Sequence, residues 1–137
     1  MRTTIPAAIA VVCALSLVAC GTSAVKKKQA QRPAQQVSDA ITALQRDLGT
    51  RNWRDLCEQV FSSVARQQAG GISCPQIVAR ESAGIRSPQI DIKGIDVNGH
   101  SATAEVVTSA AGQAAVPETI DLVFENGAWR VAALAAK

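Results

Sequence analysis

The sequence contains no tyrosine, one histidine, one methionine, two tryptophans and two phenylalanines among 137 residues. These scarcities exclude several kinds of chemistry. A lone histidine rules out a histidine-rich metal site. His100 also follows Asn98-Gly99, a strong hairpin signal, and an imidazole at a turn tip is ordinarily solvated rather than a general base. No glycine-rich phosphate loop, nucleophile elbow or cluster with metal-ligand spacing is present. With so few aromatics and no basic stripe, nucleic-acid binding is not expected. Internal repeats are also missing.

What is present begins with an uneven distribution of charge. The formal total is +3. From Val37 onward there are nine Lys and Arg against eleven Asp and Glu, a net of −2, whereas Lys26, Lys27, Lys28 and Arg32 stand in 21–36 without an acid. The basicity therefore belongs to a short segment rich in Gly, Ser, Ala, Gln, Lys and Pro, whose only branched aliphatic residue is Val25. Such a segment cannot bury a core and is expected to be a disordered tether. Its sixteen residues would span about 20–25 Å on average. It serves as a solubilising linker or, if it lies near a bilayer, adds about 1 kcal/mol of attraction per lysine to anionic headgroups.

Before this segment, Arg2 precedes an apolar run over 5–18 broken only by Pro6 and Ser16. A bilayer span needs roughly 20 apolar residues, so the run fits a cleaved signal peptide of residues 1–19 better than a transmembrane helix. It closes on Leu17-Val18-Ala19-Cys20, followed by Gly21. These residues resemble the lipobox of bacterial lipoproteins. The resemblance implies that Cys20 carries a diacylglyceryl group and becomes the mature N-terminus, which would place the protein at the extracytoplasmic face of the cell membrane. Cys13 would leave with the signal peptide. Cys57 and Cys74 would then be the two thiols left in an oxidising compartment, where only one intramolecular pairing exists. The expected disulfide stabilises the fold by roughly 3 kcal/mol.

Residues 37–137 are one domain of ordinary small size. Val37, Ala40, Ile41, Leu44 and Leu48 mark one face of a helix that Gly49 is expected to stop. Asn52 is placed to cap a second helix running to about Gln67, with Trp53, Leu56, Cys57, Val60, Phe61 and Val64 on its apolar face, ended by Gly70-Gly71. Ser73-Cys74-Pro75 opens a short third helix to about Ser82. Strands follow. Ile90 and Ile92 alternate in one phase and Ile95 and Val97 in the other, so a bulge is expected at Gly94. Ala102, Ala104 and Val106 form a second strand, and Ala110 to Gln113 a looser turn. Ile120, Leu122 and Phe124 form a third strand, Asn126-Gly127 a tight turn, and Trp129, Val131 and Ala133 a fourth strand. Helices first and a meander after is the α+β pattern, with two to three N-terminal helices on one side of a four-stranded antiparallel sheet.

This order of elements, with the cysteine-bearing helix after Asn52-Trp53 and the closing Asn126-Gly127-Ala128-Trp129-Arg130-Val131 segment, resembles the cone-shaped NTF2-like or cystatin-like domains. More narrowly, it resembles the lipobox-bearing members found in actinobacterial envelopes. The resemblance implies a curved sheet wrapped on a helix, leaving a conical cavity. Enzymes of that superfamily use a carboxylate base with tyrosine, or histidine with carboxylates, and this chain has no tyrosine and only His100. No cofactor and no metal are implied. The expected function is a non-catalytic binding or accessory domain for an envelope partner protein or a small apolar ligand, with Trp53, Phe61, Asp91, Asp121 and Trp129 as candidate pocket or interface residues. The alternative is an enzyme that works with carboxylates alone.

Overall fold

The computed structural model describes residues 22–136, with side chains over 32–133. The expected signal peptide and Cys20 lie outside the described residues. The described chain is α+β, a helical first half followed by an open, four-stranded antiparallel sheet in the order β1-β2-β3-β4.

Helix α1 covers Thr22–Thr50. Val37, Ile41 and Leu44 on its inner stripe are buried, and Ala40, Ala43 and Leu48 pack beside them. The helix begins at Thr22 and not at Val37, so the segment expected to be a disordered tether is helical from Thr22 on. The expectation weighed core-forming residues, which that segment lacks. Ala, Lys and Gln are nevertheless strong helix formers, and the helix runs on through them even though Pro33 stands inside it without an N–H for its helical bond. The left-handed residue that ends α1 is Arg51, with φ 59°, rather than Gly49. Arg51 N donates to Leu48 O at 3.4 Å and Asn52 N donates to Asp47 O at 2.9 Å. This is the paired bonding of a Schellman stop, here built without glycine at its left-handed position.

The expected single helix over 52–67 is divided. Helix α2 (Trp53–Asp55) runs into a π-helical turn (Leu56–Val60), Phe61 is extended, and α3 (Ser63–Gln68) starts afresh. The break has long-range causes. Phe61 forms a parallel bridge with Val131, and Ser62 N donates to Val131 O at 2.8 Å. Ser62 Oγ accepts from Ala65 N at 3.0 Å as the cap of α3. Glu125 Oε1 accepts from Ser63 N at 2.7 Å and Oε2 from Ser63 Oγ at 3.1 Å. Sheet and cap bonds thus replace the helical bonds that a continuous helix would have made. Asn52 occupies the start of α2, but its Nδ2 donates to Asp55 Oδ2 at 2.6 Å instead of its oxygen capping the backbone. After the left-handed Gly70, a 3-10 turn (Gly71–Ser73) leads into α4 (Cys74–Glu81), with proline in its first turn. The expected disulfide joins Cys57 and Cys74 across a Cα–Cα distance of 6.1 Å.

The strands are β1 (Gln89–Asn98), β2 (Ser101–Ser109), β3 (Val116–Glu125) and β4 (Ala128–Ala136). The register of β1 on β2 shifts between Ile92 and Gly94, which is the expected bulge. It lets Ile90, Ile92, Ile95 and Val97 all pack on the same core. A second bulge in β4 sets Leu122 opposite Val131 but Asp121 opposite Ala133. Ala133 is therefore exposed on the outer face rather than continuing the inward row of Trp129 and Val131. Asn98 pairs with Ser101, so the first hairpin loop is Gly99-His100 and not Asn98-Gly99. Gly99 alone has positive φ there, the pattern of a type II′ turn, which takes glycine at its first central position. Asn126 and Gly127 both have positive φ, as a type I′ turn requires.

Two outcomes follow from this packing. Ile41→Ala, in a stripe with no solvent access, should cost about 2–5 kcal/mol, read as a lower urea midpoint at unchanged slope. Reducing the disulfide, or replacing both cysteines by alanine, should cost about 3 kcal/mol and lower the melting temperature by more than 10 °C, on the order of 4–8 °C per kcal/mol for a domain of this size.

Candidate functional site

A cavity of about 310 Å³ opens at the end of the sheet where β1 begins and β2 turns toward β3. Leu44 and Leu48 from the last turns of α1 close one side, and Ile90 and Ile120 from the sheet form the other. Ile85 and Pro88, from the connection between α4 and β1, and Val116, at the start of β3, complete the apolar wall. Thr108, Ser109, Gln113 and Glu118 add polar groups. Mostly apolar walls with a few convergent polar groups are the ordinary make-up of a small-molecule site, and this volume is at the small end of the usual range.

Local sequence explains the opening. Gln45 Oε1 accepts from Ile90 N at 2.8 Å, tying β1 to α1 where the strand begins. Ala111 N donates to Arg86 O at 2.8 Å, joining the β2–β3 turn to the connection before β1. The two loops are thereby held together at the cavity, and the small residues Ser109, Ala110 and Ala114 leave its space unfilled.

Glu118 is the residue that sequence reasoning missed. It pairs with Val106 across the sheet, and Val106 is buried on the inner face. Glu118 therefore stands in the inward row of β3 with Ile120, Leu122 and Phe124. The signal was available, since Glu118 lies two positions before Ile120 in the same alternating phase. The row read from the sequence alone begins at Ile120 and leaves Glu118 out.

The five candidate residues drawn from the sequence do not converge. Trp129 is buried and meets Phe124 edge-on, with ring centroids 5.5 Å apart. Trp53 is half-buried against the core. Asp91 is exposed and pairs with Lys93 on β1. Asp121 accepts from Thr103 Oγ1 at 3.2 Å on the outer face of the sheet. Phe61 alone lines a described hollow, one of about 220 Å³ between α3 and β4 with Ala65, Ala69 and Val131. None of the five lines the larger cavity. His100 is exposed at its turn, with its ring centroid 5.8 Å from that of Phe124.

One further carboxylate is buried. Asp47, only 1% exposed, accepts from Arg46 Nε at 2.8 Å through Oδ1, while Oδ2 has no partner among the described residues. That hydrogen bond first, and the charge of the carboxylate second, raise the Arg46 guanidinium above its ordinary value. Asp47 does not line the cavity. Among the described residues no cluster of three or more His, Cys, Asp or Glu side chains could hold a metal ion, and no helix is long and apolar enough to cross a membrane.

Comparison with known proteins finds no matching family model, no matching curated protein and no matching solved structure.

Asp91 and Asp121 sit on the solvated face of the sheet. Asp91→Asn and Asp121→Asn should each change stability by no more than about 0.5 kcal/mol, measured by urea unfolding, and should leave binding in the cavity unaltered.

Proposed function

We propose that this protein is a lipid-anchored, extracytoplasmic binding domain that takes a small apolar ligand at the end of its sheet. The observation that carries the ligand half of this reading is the cavity of about 310 Å³ between Leu44, Leu48, Ile90 and Ile120. Burying apolar surface there stabilises a ligand by about 25 cal/mol per Å² before the costs of association. The anchor half rests on Leu17-Val18-Ala19-Cys20 at the close of a short apolar run. Two acyl chains on Cys20 hold a protein at a bilayer far more firmly than one. We further propose that the helices and sheet form a small cone of the NTF2-like or cystatin-like kind, which would account for a cavity at the end of a meander.

Catalysis is the weaker reading. Among the described residues Glu118 is the one ionisable side chain lining the cavity, and the others beside it are hydroxyls and amides, with no histidine, lysine, cysteine or tyrosine. A general base without a matched acid or an activated nucleophile has little to act with.

Two measurements test the proposal. Mass spectrometry of the native protein should find a mature N-terminus at a diacylated Cys20, and Cys20→Ser should release the protein from membranes or leave it unprocessed. A mature end without fatty acid would remove the anchor. Separately, the neutral fluorophore N-phenyl-1-naphthylamine should brighten on binding the domain. Ala110→Trp, which fills the cavity from its rim, should abolish the signal while leaving the far-UV circular dichroism unchanged. Equal brightening in wild type and Ala110→Trp would sink the cavity reading.

A further inference from the structure

We infer that Glu118 makes the cavity selective for apolar amines, ligands with an aliphatic or flat apolar body and a protonated nitrogen. The inference rests on the cavity reading above and adds the charge of the head group to it. Its ground is the position of Glu118 in the sheet. The inward rows are Ile90, Ile92, Ile95 and Val97 on β1, Ala102, Ala104, Val106 and Thr108 on β2, and Ile120, Leu122 and Phe124 on β3. Glu118 is the charged residue among them. An acid at an inward strand position breaks the pattern that the rest of the sheet obeys, and such departures are expected where a site demands them.

Its surroundings give the departure a use. Glu118 is half-buried and lines the cavity, and no described residue offers it a hydrogen bond or an ion pair. Asp91, Asp121 and Glu125 are provided for by Lys93, Thr103 and Ser63, and Asp96, which has no described partner either, is exposed to water on the outer face. Arg86, on the neighbouring connection, does not line the cavity and makes no ion pair with it. A carboxylate beside an apolar wall and partly shielded from water is a weakly solvated acceptor, and a cation that brings its own donor restores what it lacks. An anionic head group would be repelled from the same place. Thr108 and Ser109 can accept a remaining ammonium proton through their hydroxyl oxygens.

The test is displacement of N-phenyl-1-naphthylamine by three ligands of one chain length and different heads, decylamine, decan-1-ol and decanoate, each below its micelle concentration or solubility limit. In wild type, decylamine should displace the probe at about three- to tenfold lower concentration than decan-1-ol, the size of one partly solvated ion pair, with decanoate the weakest. Glu118→Gln should bring amine and alcohol together, and Glu118→Lys should favour decanoate. Asp96→Asn, the same charge change on the outer face, should leave the order intact. Equal displacement by the three heads in wild type, or an amine preference that survives Glu118→Gln, would overturn the inference while leaving the cavity in place. Failure of the neutral probe itself to bind would instead overturn the cavity reading on which this one stands.

Discussion

Helix α1 lies across the inner face of the sheet, and nearly every other feature is arranged around that contact. Val37, Ile41 and Leu44 have essentially no solvent access, and they meet Ala104, Val106, Ile120, Leu122 and Val131, which have as little. Each valine, leucine and isoleucine among them contributes about 1.5–3 kcal/mol on leaving water. The contact needs every strand to keep one apolar face turned to α1. The two edge strands each carry a bulge that bends them around the helix, β1 near Gly94 and β4 just after Val131.

The smaller helices are held to this core by a few specific bonds. The disulfide joins the π-helical turn to the start of α4. The extended Phe61-Ser62 step lies along β4, and Glu125 at the tip of the β3–β4 hairpin holds the start of α3. Arg130 Nη1 also reaches Glu58 O at 3.3 Å, adding a bond between β4 and the π-helical turn. These contacts cover the beginning of β4, where an unpaired edge would otherwise be open to other chains. The opposite edge, β1, is tied to α1 at Ile90 by Gln45 and beyond that point carries Asp91, Lys93, Asp96 and a bulge, the features that discourage strand addition.

The cavity is what this packing leaves at its far end. The inner stripe of α1 ends at Leu48, while the β1 entry and the β2–β3 turn continue past it, so the last inward positions of the sheet face Leu44 and Leu48 across a gap. Small residues at the rim keep the gap open. Glu118 stands where the apolar row of β3 gives way to that space, so the same alternation that builds the core also delivers a carboxylate to the cavity.

Alternation and turn chemistry are local, and they were legible from the amino-acid order. Helix α4 behind its proline, the bulge at Gly94, the Asn126-Gly127 turn, the four antiparallel strands and the Cys57–Cys74 pairing all follow from residues near one another in the chain or from simple counting. The features that depend on distant partners were not legible. The break at Phe61 comes from Val131 and Glu125, some sixty to seventy positions away, and helical spacing through Val60, Phe61 and Val64 masks it. The stop at Arg51 falls two residues after the glycine that local rules favour, because the terminal bonds at Asp47 and Leu48 form there. The loop at Gly99-His100 differs from Asn98-Gly99 because strand register, set by core packing, decides which two residues are left over. The site depended on tertiary structure most of all. The inward phase of Glu118 is legible two positions before Ile120, but its enclosure by α1, β1 and the β2–β3 turn is not, because convergence in space leaves no trace in spacing along the chain.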